Sequence, residues 1–533
     1  MKTIKRITAA VAALALAGVV AGCAQRPAAT LSDEALLDSV ERRTFDYFWS
    51  GAEPNSGLAC ARINMDGIYP ENDETVVTTG GSGFGILALI AGMERGYVTR
   101  EQGIERFERI VSFLERADRF HGAWPHWIEG RTGRVKPFGK KDNGGDLVET
   151  AFLVQGLLAA HQYFAQGNEC EQALAQRIDT LWRGVEWSWY RNGQNVLYWH
   201  WSPEYGWEMN FAVHGFNECL VMYILAAASP TYPIDREVYT EGWAENGAIV
   251  DEHEVEGYRL RLRYQGVEAG PLFWAHYSFL GLDPRGLRDD YCEDYFGEMR
   301  NYSLINRAYC IRNPRHYKGY GKDCWGLTAS YSTAGYAAHA PVEREDRGVI
   351  APTAALSSIV YTPEESMDVM RYLYGPLHEK VWGPYGFYDA FSQTDDWYPQ
   401  KYLAIDQGPI AVMIENHRSE LLWRLFMSHP DVQNGVAHEE RVARAAIRGE
   451  AGFFETGRIG RCVPFFQIEQ KNVTRKGTLK SVTQPWKIAT TAYCGPATRV
   501  RIGRVVSKVV APPDEIAASG PKRPATHGAV RSV

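Results

Sequence analysis

The chain has 533 residues and a formal net charge of −7, with 45% hydrophobic, 12% aromatic and 23% charged residues. This composition is typical of a folded globular protein and excludes a disordered one. The charge balance offers no general surface for a polyanion, so we predict no nucleic-acid partner. Beyond residue 30 there is no run of about 18 apolar residues, which excludes a protein with several membrane spans.

The first thirty residues have the pattern of an export signal. Basic residues precede an apolar run over 7–20, as in a secretory signal peptide. The run ends in Val20-Ala21-Gly22-Cys23, which resembles a bacterial lipobox with Cys23 as the lipidated first residue. We therefore predict a signal peptide over 1–22, a tether over 23–32 and a lipid anchor in the membrane. The residue after Cys23 is not Asp, which by resemblance to Gram-negative lipoproteins favours the outer membrane, on its periplasmic or surface face. A plain signal peptide cut nearby is the alternative.

The body of the chain reads as a succession of helices. Apolar residues between Leu36 and Phe48 recur at helical spacing after a start signal at 32–34. Further helical segments follow in chain order at 84–95, 100–117, 146–164, 171–190, 217–228, 287–305, 353–359, 364–373 and 409–426. Strand patterns are few, so the pattern predicts an all-α fold of paired helices over 33–435. An (α/α)6 barrel fits the number of helices, although periodicity alone leaves a helical solenoid open.

The end of the chain differs from the rest in charge. From Arg441 onward there are 17 Lys or Arg and 5 Asp or Glu. We predict that residues 436–533 form a basic, poorly structured tail, and we assign it no role.

Cysteine spacing gives little guidance. Eight cysteines follow Cys23 and contain no CxxC pair, so no zinc site is predicted. Cys292 with Cys310 is a possible disulfide, and buried free thiols are the alternative.

Carboxylates are the best candidates for chemistry, because the common zinc, dinucleotide, phosphate-loop and nucleophile-elbow motifs are absent. The first group lies in Asp142-Asn143-Gly144-Gly145-Asp146-Leu147-Val148-Glu149, at the start of an apolar helix. Asp146 and Glu149 are three residues apart and project from one side of its first turn, with Asp142 on the preceding loop. Such a cluster indicates a sugar-binding cleft. A helix-capping box is the alternative, since acids at a helix start also suit its dipole.

Two further carboxylates border apolar helices. Glu218 opens an apolar run that ends at Ala228, where burial would raise its pKa toward the value that a general acid needs. Asp406 precedes Gly408 and Pro409, so we place it on a loop at the N-terminus of the next helix. A solvated first-turn glutamate and a loop-bracing aspartate are the alternatives.

Aromatic residues are concentrated in the polar, glycine-rich loops around these motifs. Flat rings pack on the C–H faces of pyranose sugars while their polar edges hydrogen-bond hydroxyl groups. The predicted substrate-binding residues are Trp124, His126, Trp127, Trp201, Trp207, Trp325 and Trp382. Core packing explains each of them better when it is taken alone, but their concentration favours carbohydrate. Separated carboxylates together with aromatic rings that stack on sugars are typical of a glycosidase active site.

Several of these segments resemble the bacterial glucoamylase-like domain that is shared with glycoside hydrolase family 144. The resemblance rests on 36–49, 79–85, 117–127 and the three carboxylate motifs, and it runs from Leu36 to Val432. The family has an (α/α)6 barrel and includes endo-β-1,2-glucanases. The resemblance therefore implies a hydrolase that cleaves β-1,2-glucan to short sophoro-oligosaccharides with inversion. It stops before the basic tail.

The same resemblance implies roles for the carboxylates. Those that match carboxylates needed in the family are Asp142, Asp146, Glu149 and Glu218. It implies that Glu218 is the general acid, acting through a substrate hydroxyl, and that Glu149 binds the sugar or organises the water. The general base remains open among Asp142, Asp146 and Asp406. We predict no metal and no organic cofactor, because carboxyl groups can both protonate the leaving oxygen and activate the water.

Two alternatives to an endo-acting enzyme remain open. The first is the same barrel with exo action or with specificity for another glucan linkage. The second is a non-catalytic surface lipoprotein that binds glycans. Carboxylates suited to an acid and a base favour catalysis, since a pure binder needs neither. We expect a monomer whose partner is a glucan oligo- or polysaccharide.

Overall fold

The helical expectation is confirmed by the computed structural model, which describes residues 31–69, 73–264 and 268–436. The predicted signal peptide and almost all of the predicted basic tail lie outside these residues. Within them the α-helices are α1 (Asp33–Trp49), α2 (Thr79–Glu94), α3 (Arg100–Leu114), α4 (Leu147–Phe164), α5 (Glu169–Arg183), α6 (Leu220–Ala228), α7 (Tyr295–Arg312), α8 (Pro352–Leu356), α9 (Pro363–Tyr374), α10 (His378–Val381), α11 (Ala404–Ser419) and α12 (Leu421–Met427).

Short strands connect the helices and carry much of the site. They are β1 (Arg62–Asn64), β2 (Val76–Thr78), β3 (Trp127–Glu129), β4 (Val135–Lys136), β5 (Gly145–Asp146), β6 (Leu197–Tyr198), β7 (His200–Trp201), β8 (Ala212–Val213), β9 (Val250–Val255), β10 (Tyr258–Leu262), β11 (Ala329–Ser332), β12 (Gly335–Ala338), β13 (Trp382–Gly383), β14 (Gly386–Phe387) and β15 (Lys401–Leu403). These strands pair in antiparallel fashion, in the sheets β1-β15, β2-β3-β4, β5-β7, β6-β8, β9-β10, β11-β12 and β13-β14.

The helices separate into two kinds by burial. Almost every residue of α2, α4 and α6 is buried, as is α11 through Asn416. Helices α1, α3 and α5 bury one face and expose charged residues on the other. Helix α2 packs against both α4 and α11, while α1 packs on α2 and α11, and α5 packs on α4. Apolar helices therefore form an inner layer that amphipathic helices cover, as expected from their sequence patterns.

Helix α2 begins five residues earlier than its sequence pattern predicts. The segment Thr79-Gly80-Gly81-Ser82-Gly83 is helical, although glycine weakens a helix in isolation. A Cβ atom on Gly83 would lie 2.1 Å from the backbone oxygen of Phe152 in α4. The glycines are therefore helical because tertiary packing requires a close approach of α2 to α4.

The predicted helix at 409–426 is wrong in its bounds. Helix α11 already begins at Ala404, directly after β15, so Pro409 lies inside the helix and not at its first turn. Glu420 takes a left-handed conformation with φ of 61° and separates α11 from α12. The backbone hydrogen bond from Ala404 N to Ala61 O anchors this start against the neighbouring strand pair.

Two other helices also end or begin away from their predicted positions. Helix α5 ends at Arg183, and a separate 3-10 helix follows at Trp187–Arg191. Helix α7 begins at Tyr295 and not at Leu287. The reason is a turn in which the Asp289 carboxylate accepts the backbone N–H groups of the residues two and three positions later.

The described cysteines are all free thiols. They are Cys60, Cys170, Cys219, Cys292, Cys310 and Cys324. The possible disulfide between Cys292 and Cys310 is therefore not formed, and both thiols are buried. Among the described residues we find no helix with the length and apolar character needed to cross a membrane.

Candidate active site

Asp146 precedes α4 and has no exposed surface (0%). Its Oδ1 accepts the backbone N–H of Glu149 at 2.8 Å and so caps the helix. Its Oδ2 lies 3.0 Å from His126 Nδ1 and accepts the indole N–H of Trp199 at 3.0 Å. Burial raises the pKa of Asp146, but the rings of His126 and His200 outweigh it and hold that pKa below its usual range. Asp146 is therefore a carboxylate with both oxygens engaged, which suits positioning better than proton transfer.

Two buried histidines balance the charge of the aspartates. His200 Nε2 lies 3.2 Å from Asp142 Oδ2 and 3.5 Å from Asp146 Oδ2. His126 Nδ1 lies 4.0 Å from Asp142 Oδ2. Burial lowers the pKa of both rings, but the surrounding carboxylates, including Glu149 beside His126, outweigh it and raise each pKa to about 9. Both imidazoles are therefore cationic at neutral pH.

A short strand pair brings these groups together. Strand β5 pairs with β7, so that Asp146 lies opposite His200 and Gly145 lies opposite Trp201. Residues 199–201 thus supply one indole N–H and one imidazole to the start of α4 across more than 50 residues of sequence. The carboxylate cluster predicted from 142–149 is assembled by this long-range pairing.

Glu149 links the starts of α2 and α4. Its Oε2 accepts the backbone N–H of Gly80 at 2.7 Å and the hydroxyl of Thr78 at 3.3 Å. A Cβ atom on Gly80 would lie 2.8 Å from that oxygen, so the absence of a side chain makes the contact possible. Burial raises the pKa of Glu149, with a further contribution from Asp146, against the opposing charge of His126. Asp146 therefore caps α4, as the capping-box alternative expects. The Glu149 side chain does not return to the cap but binds Gly80 and Thr78.

Glu218 lies in the turn just before α6. Its exposed fraction is 9%. Burial raises the pKa of Glu218 to about 7, and the charge of Glu149 adds to the effect. Ser278 fixes this turn, because its hydroxyl donates to the Glu218 carbonyl and accepts the N–H of Val221. The pKa of Glu218 is therefore raised by burial, as predicted, into the range that a general acid near neutral pH needs.

Asp406 lies within the first turn of α11 and not on a preceding loop, because the helix begins at Ala404. Its exposed fraction is 1%, and that of Asp389 is 2%. Asp389 follows β14, its N–H donates to Lys401 O at 2.9 Å, and its Oδ2 accepts the N–H of Tyr331 at 2.8 Å. The two carboxyl groups are within hydrogen-bonding reach of each other.

Each of the two aspartates changes the pKa of the other. Burial raises the pKa of Asp389 to about 6, against the opposing hydrogen bond from Tyr331. Burial and the neighbouring Asp389 charge raise the pKa of Asp406 well above its usual value. Two adjacent carboxyl groups in a buried site resist ionising together.

The hydroxyl of Tyr277 connects the two halves of the site. Tyr277 is buried, with 5% exposed. Burial raises its pKa, and the charges of Asp406, Glu218 and Glu149 raise that pKa further. The Tyr277 hydroxyl lies close enough to Asp406 to hydrogen-bond it and lower its pKa, and the charges of all three carboxyl groups act on this one hydroxyl group. The predicted site residues from three separate motifs therefore form a single cluster.

The predicted aromatic residues divide into three groups. Trp124 and Trp325 are fully buried (0%), so the structure gives them no face for a sugar, and they belong to the core. Trp127 is buried and contacts the ring of Phe138, which stacks on His126 at 4.0 Å.

The remaining predicted tryptophans are half-buried. Trp201 and Trp207 both pack on Trp189, at 5.3 and 4.8 Å between ring centroids. Trp382 packs on Tyr374, His378 and Phe387. The backbone of Trp201 pairs with Gly145 of β5, while its ring packs on Phe120, His121 and Trp189.

Sequence reasoning missed three contributors to the cluster, namely His200, Tyr277 and Asp389. His200 stands in the Trp199-His200-Trp201 motif, which by itself indicates stacking rings and not a partner for an aspartate. Tyr277 and Asp389 stand in runs without any chemical motif, so no sequence signal identified them. Their role depends on contacts with segments far away along the chain.

The described residues contain one group that could hold a metal ion, formed by His126, Asp142 and Asp146, with ligand atoms within 4.8 Å of one another. Asp146 Oδ2 already lies at hydrogen-bond distance from His126 Nδ1 and Trp199 Nε1. An ion pair accounts for these contacts directly. The absence of a metal requirement stays a prediction.

Comparison with known proteins identifies the class. The Glycoamylase family model, described as "Putative glucoamylase", matches residues 210–430. A crystal structure of that description from Bacteroides caccae ATCC 43185 is 73% identical with a TM-score of 0.75, covering 76% of this chain and 98% of that one. An endo-β-1,2-glucanase from Chitinophaga pinensis, in complex with sophorotriose and glucose, is 65% identical with a TM-score of 0.76, covering 76% of this chain and 97% of that one.

A curated relative extends the comparison. The exo β-1,2-glucooligosaccharide sophorohydrolase (non-reducing end) of Parabacteroides distasonis is 48% identical over 424 residues, which are 76% of this chain and 58% of that protein. The chain thus spans little more than half the length of this relative. The fold is that of these glucoamylase-like proteins, and the chain belongs to this glucoamylase-like family.

Proposed function

We propose that this protein is a glycoside hydrolase of family 144 that cleaves β-1,2-glucan to short sophoro-oligosaccharides. The observation that carries the proposal is that Glu218 and Asp406, two buried carboxyl groups from separate motifs, both act on the Tyr277 hydroxyl. Burial raises the pKa of Glu218 to about 7, in the range of a general acid, and Asp406 supplies a second carboxyl group whose pKa is also raised. The names of the related glucanases from Chitinophaga pinensis and Parabacteroides distasonis support the substrate.

The proposed reaction proceeds with inversion. Glu218 gives its proton, directly or through a substrate hydroxyl, to the oxygen that leaves C1 of the sugar. A water molecule attacks C1 from the opposite face and loses a proton to the general base. Among the three candidates for that base, Asp146 is occupied by His126 and Trp199, and Asp142 lies against His200. We therefore assign the general base to Asp406.

The remaining polar groups bind and orient the sugar. Asp142 and Glu149 are carboxylates at the same site and accept hydrogen bonds well. The cationic His126 and His200 keep Asp146 ionised, because they hold its pKa below the usual range. Trp201, which follows His200 on β7, offers a half-buried ring for contact with a sugar.

We propose that the inner helices form the ring of an (α/α)6 barrel. Contacts run from α11 to α2, from α2 to α4, from α4 to α6, and from α6 to the 3-10 helix Tyr277–Phe279. Helix α8 packs on α11, and Ser358 just beyond α8 lies 3.0 Å from His276 Nε2. These contacts support a closed ring, with 33–435 as the catalytic domain.

The test uses protein lacking residues 1–23, incubated with linear β-1,2-glucan and, in parallel, with starch and laminarin. Short oligosaccharides from β-1,2-glucan alone are expected by chromatography, and Glu218→Gln should abolish them. Glu293→Gln is the matched control, because Glu293 is exposed and outside the site. Products from another glucan only would overturn the substrate. Binding without hydrolysis of any glucan would favour a glycan-binding lipoprotein.

Exo action is the second candidate, since the Parabacteroides distasonis relative is an exo-acting sophorohydrolase. The size of products over time separates the two modes. An endo enzyme shortens the polymer early and gives a range of sizes, whereas an exo enzyme releases one small product from the start. We favour endo action, because the Chitinophaga pinensis glucanase has the higher identity, 65% against 48%.

We also propose that the protein is a lipoprotein anchored through Cys23, in the outer membrane on either face. The lipobox-like sequence at 20–23 supports this proposal. The full chain should incorporate labelled palmitate and sediment with membranes, whereas Cys23→Ser should do neither. Unchanged membrane association of the variant would overturn the anchor.

A further inference from the structure

Three side-chain oxygens at the Asp389–Asp406 pair are buried without a partner. Both oxygens of Asp406 and Oδ1 of Asp389 have no partner among the described residues at good hydrogen-bond geometry, and the one donor near Asp406 is the Tyr277 hydroxyl, which lowers the pKa of Asp406. A buried, unsatisfied carboxylate oxygen is costly, so each such atom requires an explanation. Two carboxyl groups placed together satisfy one another when a single proton lies between them.

The described surroundings provide no cation to replace that proton. The charged and titratable residues around the pair are Tyr277, Tyr331, Tyr336 and Lys401, together with Glu149 and Glu218, which act on the same Tyr277 hydroxyl as Asp406. Lys401 contributes its backbone carbonyl to Asp389 N–H, and its ammonium group lies over the ring of Tyr331, 5.3 Å from the centroid. The other groups that face the pair are phenols and carboxyls, which do not neutralise two adjacent aspartates.

The backbone holds the two residues rigidly against each other. Asp389 N–H binds Lys401 O in β15, five residues before Asp406, and Tyr331 N–H fixes Asp389 Oδ2. Gln407, next to Asp406, donates to Phe387 O at 2.9 Å, two residues before Asp389. The segment 387–389 is thus tied to the start of α11 on both sides of the carboxyl pair.

We propose that Asp389 and Asp406 act as one unit that shares a single proton, with Asp389 as the positioning residue that orients Asp406 toward the attacking water. This inference rests on the proposed hydrolase function. In each turnover an O–H bond of the water breaks as its oxygen bonds C1, and the released proton passes to Asp406. The pair then holds two protons and returns one to solvent, while Glu218 regains the one it gave to the leaving oxygen.

The pair is tested by two substitutions at Asp389 with different chemistry. Asp389→Asn keeps an N–H donor toward Asp406, and we expect kcat to fall less than about tenfold with an unchanged acid limb of the pH profile. Asp389→Ala removes the donor, and we expect kcat to fall about a hundredfold or more and the acid limb to move to higher pH. Similar KM values are expected for both. Asp396→Asn is the control, because the Asp396 side chain is 83% exposed.

A purely structural role would lower stability in both variants and leave the pH profile of both unchanged, which would overturn the inference. An infrared difference spectrum gives a readout without substrate. At a pH above the Glu218 titration, wild type minus Asp389→Asn should contain the band of a protonated aspartic acid, and wild type minus Asp406→Asn should contain the same band. If both variants keep this band, the inference of a shared proton is overturned. Absence of hydrolysis by wild type would overturn the proposed function and leave this spectrum to decide on the pair.

Discussion

The carboxylate of Glu149 in α4 accepts the backbone N–H of Gly80 in α2 at 2.7 Å. The two residues are 69 positions apart, and the contact joins the starts of two inner helices inside the site. It explains why a glycine-rich segment, which on its own disfavours a helix, forms the first turn of α2. It also ties the stability of this helix pair to the placement of a site carboxylate.

Substitution of Gly80 by Ala should therefore damage both stability and activity. The new Cβ would lie 2.8 Å from Glu149 Oε2, so the carboxylate must move. We expect a loss of about 1–3 kcal/mol in the free energy of unfolding and a fall in kcat/KM of about tenfold or more. Denaturant unfolding and steady-state kinetics check both. Gly321→Ala is the control, since a Cβ at Gly321 would meet no atom within 4 Å, and equal effects of the two substitutions would contradict this explanation.

The rate should depend on the protonation of Glu218. Its pKa of about 7 lies well above the usual value for glutamate, so the acid form is abundant below pH 7 and is lost above it. We expect kcat/KM on β-1,2-glucan to fall as pH rises through about 7. Glu218→Gln should reduce kcat by about 10²–10⁴-fold. A full pH profile of the wild type checks the assignment, and an alkaline limb that persists in the residual activity of the variant would refute it.

The stability of the fold should fall at alkaline pH because of His126 and His200. Each has a folded-state pKa of about 9, against 6.5 for an unperturbed histidine. Each ring therefore contributes stability that is fully present below about pH 6.5 and is lost as pH rises through 9, on the order of 1–3 kcal/mol for each. Unfolding measured from pH 6 to 10 should show this loss. It should be smaller in His200→Asn but unchanged in His316→Asn, an exposed control.

Trp325 and Trp201, which the sequence predicts to bind substrate, should respond differently to substitution by Ala. Trp325→Ala should cost about 3–5 kcal/mol of unfolding free energy, because Trp325 is fully buried. Trp201→Ala should cost less stability and raise KM for the glucan, because its ring is only partly buried and lies on the strand that carries His200. Thermal unfolding together with Michaelis kinetics separates the two effects. A raised KM with intact stability in the Trp325 variant would show that its assignment to the core is wrong.

Catalysis should not require a metal ion. The contacts among His126, Asp142 and Asp146 are direct, and two cationic rings already balance the charges of the aspartates. Dialysis against a chelator should leave kcat/KM within about twofold of its starting value. Elemental analysis of the purified protein before dialysis is the control for bound metal. Loss of activity that zinc, calcium or manganese restores would assign a metal to this group.

The sequence alone determined the helical class and most of the acidic residues of the site. Apolar periodicity is a local property, so α1, α3, α4 and α9 lie close to their predicted positions. The motifs at 142–149, at Glu218 and at Asp406 were recognisable because each combines a carboxylate with a helix start.

The tertiary structure alone decided which residues complete the site and what their protonation states are. Pairing of β5 with β7 brings His200 to Asp146, and the ties between 387–389 and α11 bring Asp389 to Asp406. A pKa depends on burial and on charges from distant segments, which no local pattern records. For the same reason Trp325 and Trp201 look alike in the sequence, although one is a core residue and the other is half-buried on the strand that carries His200.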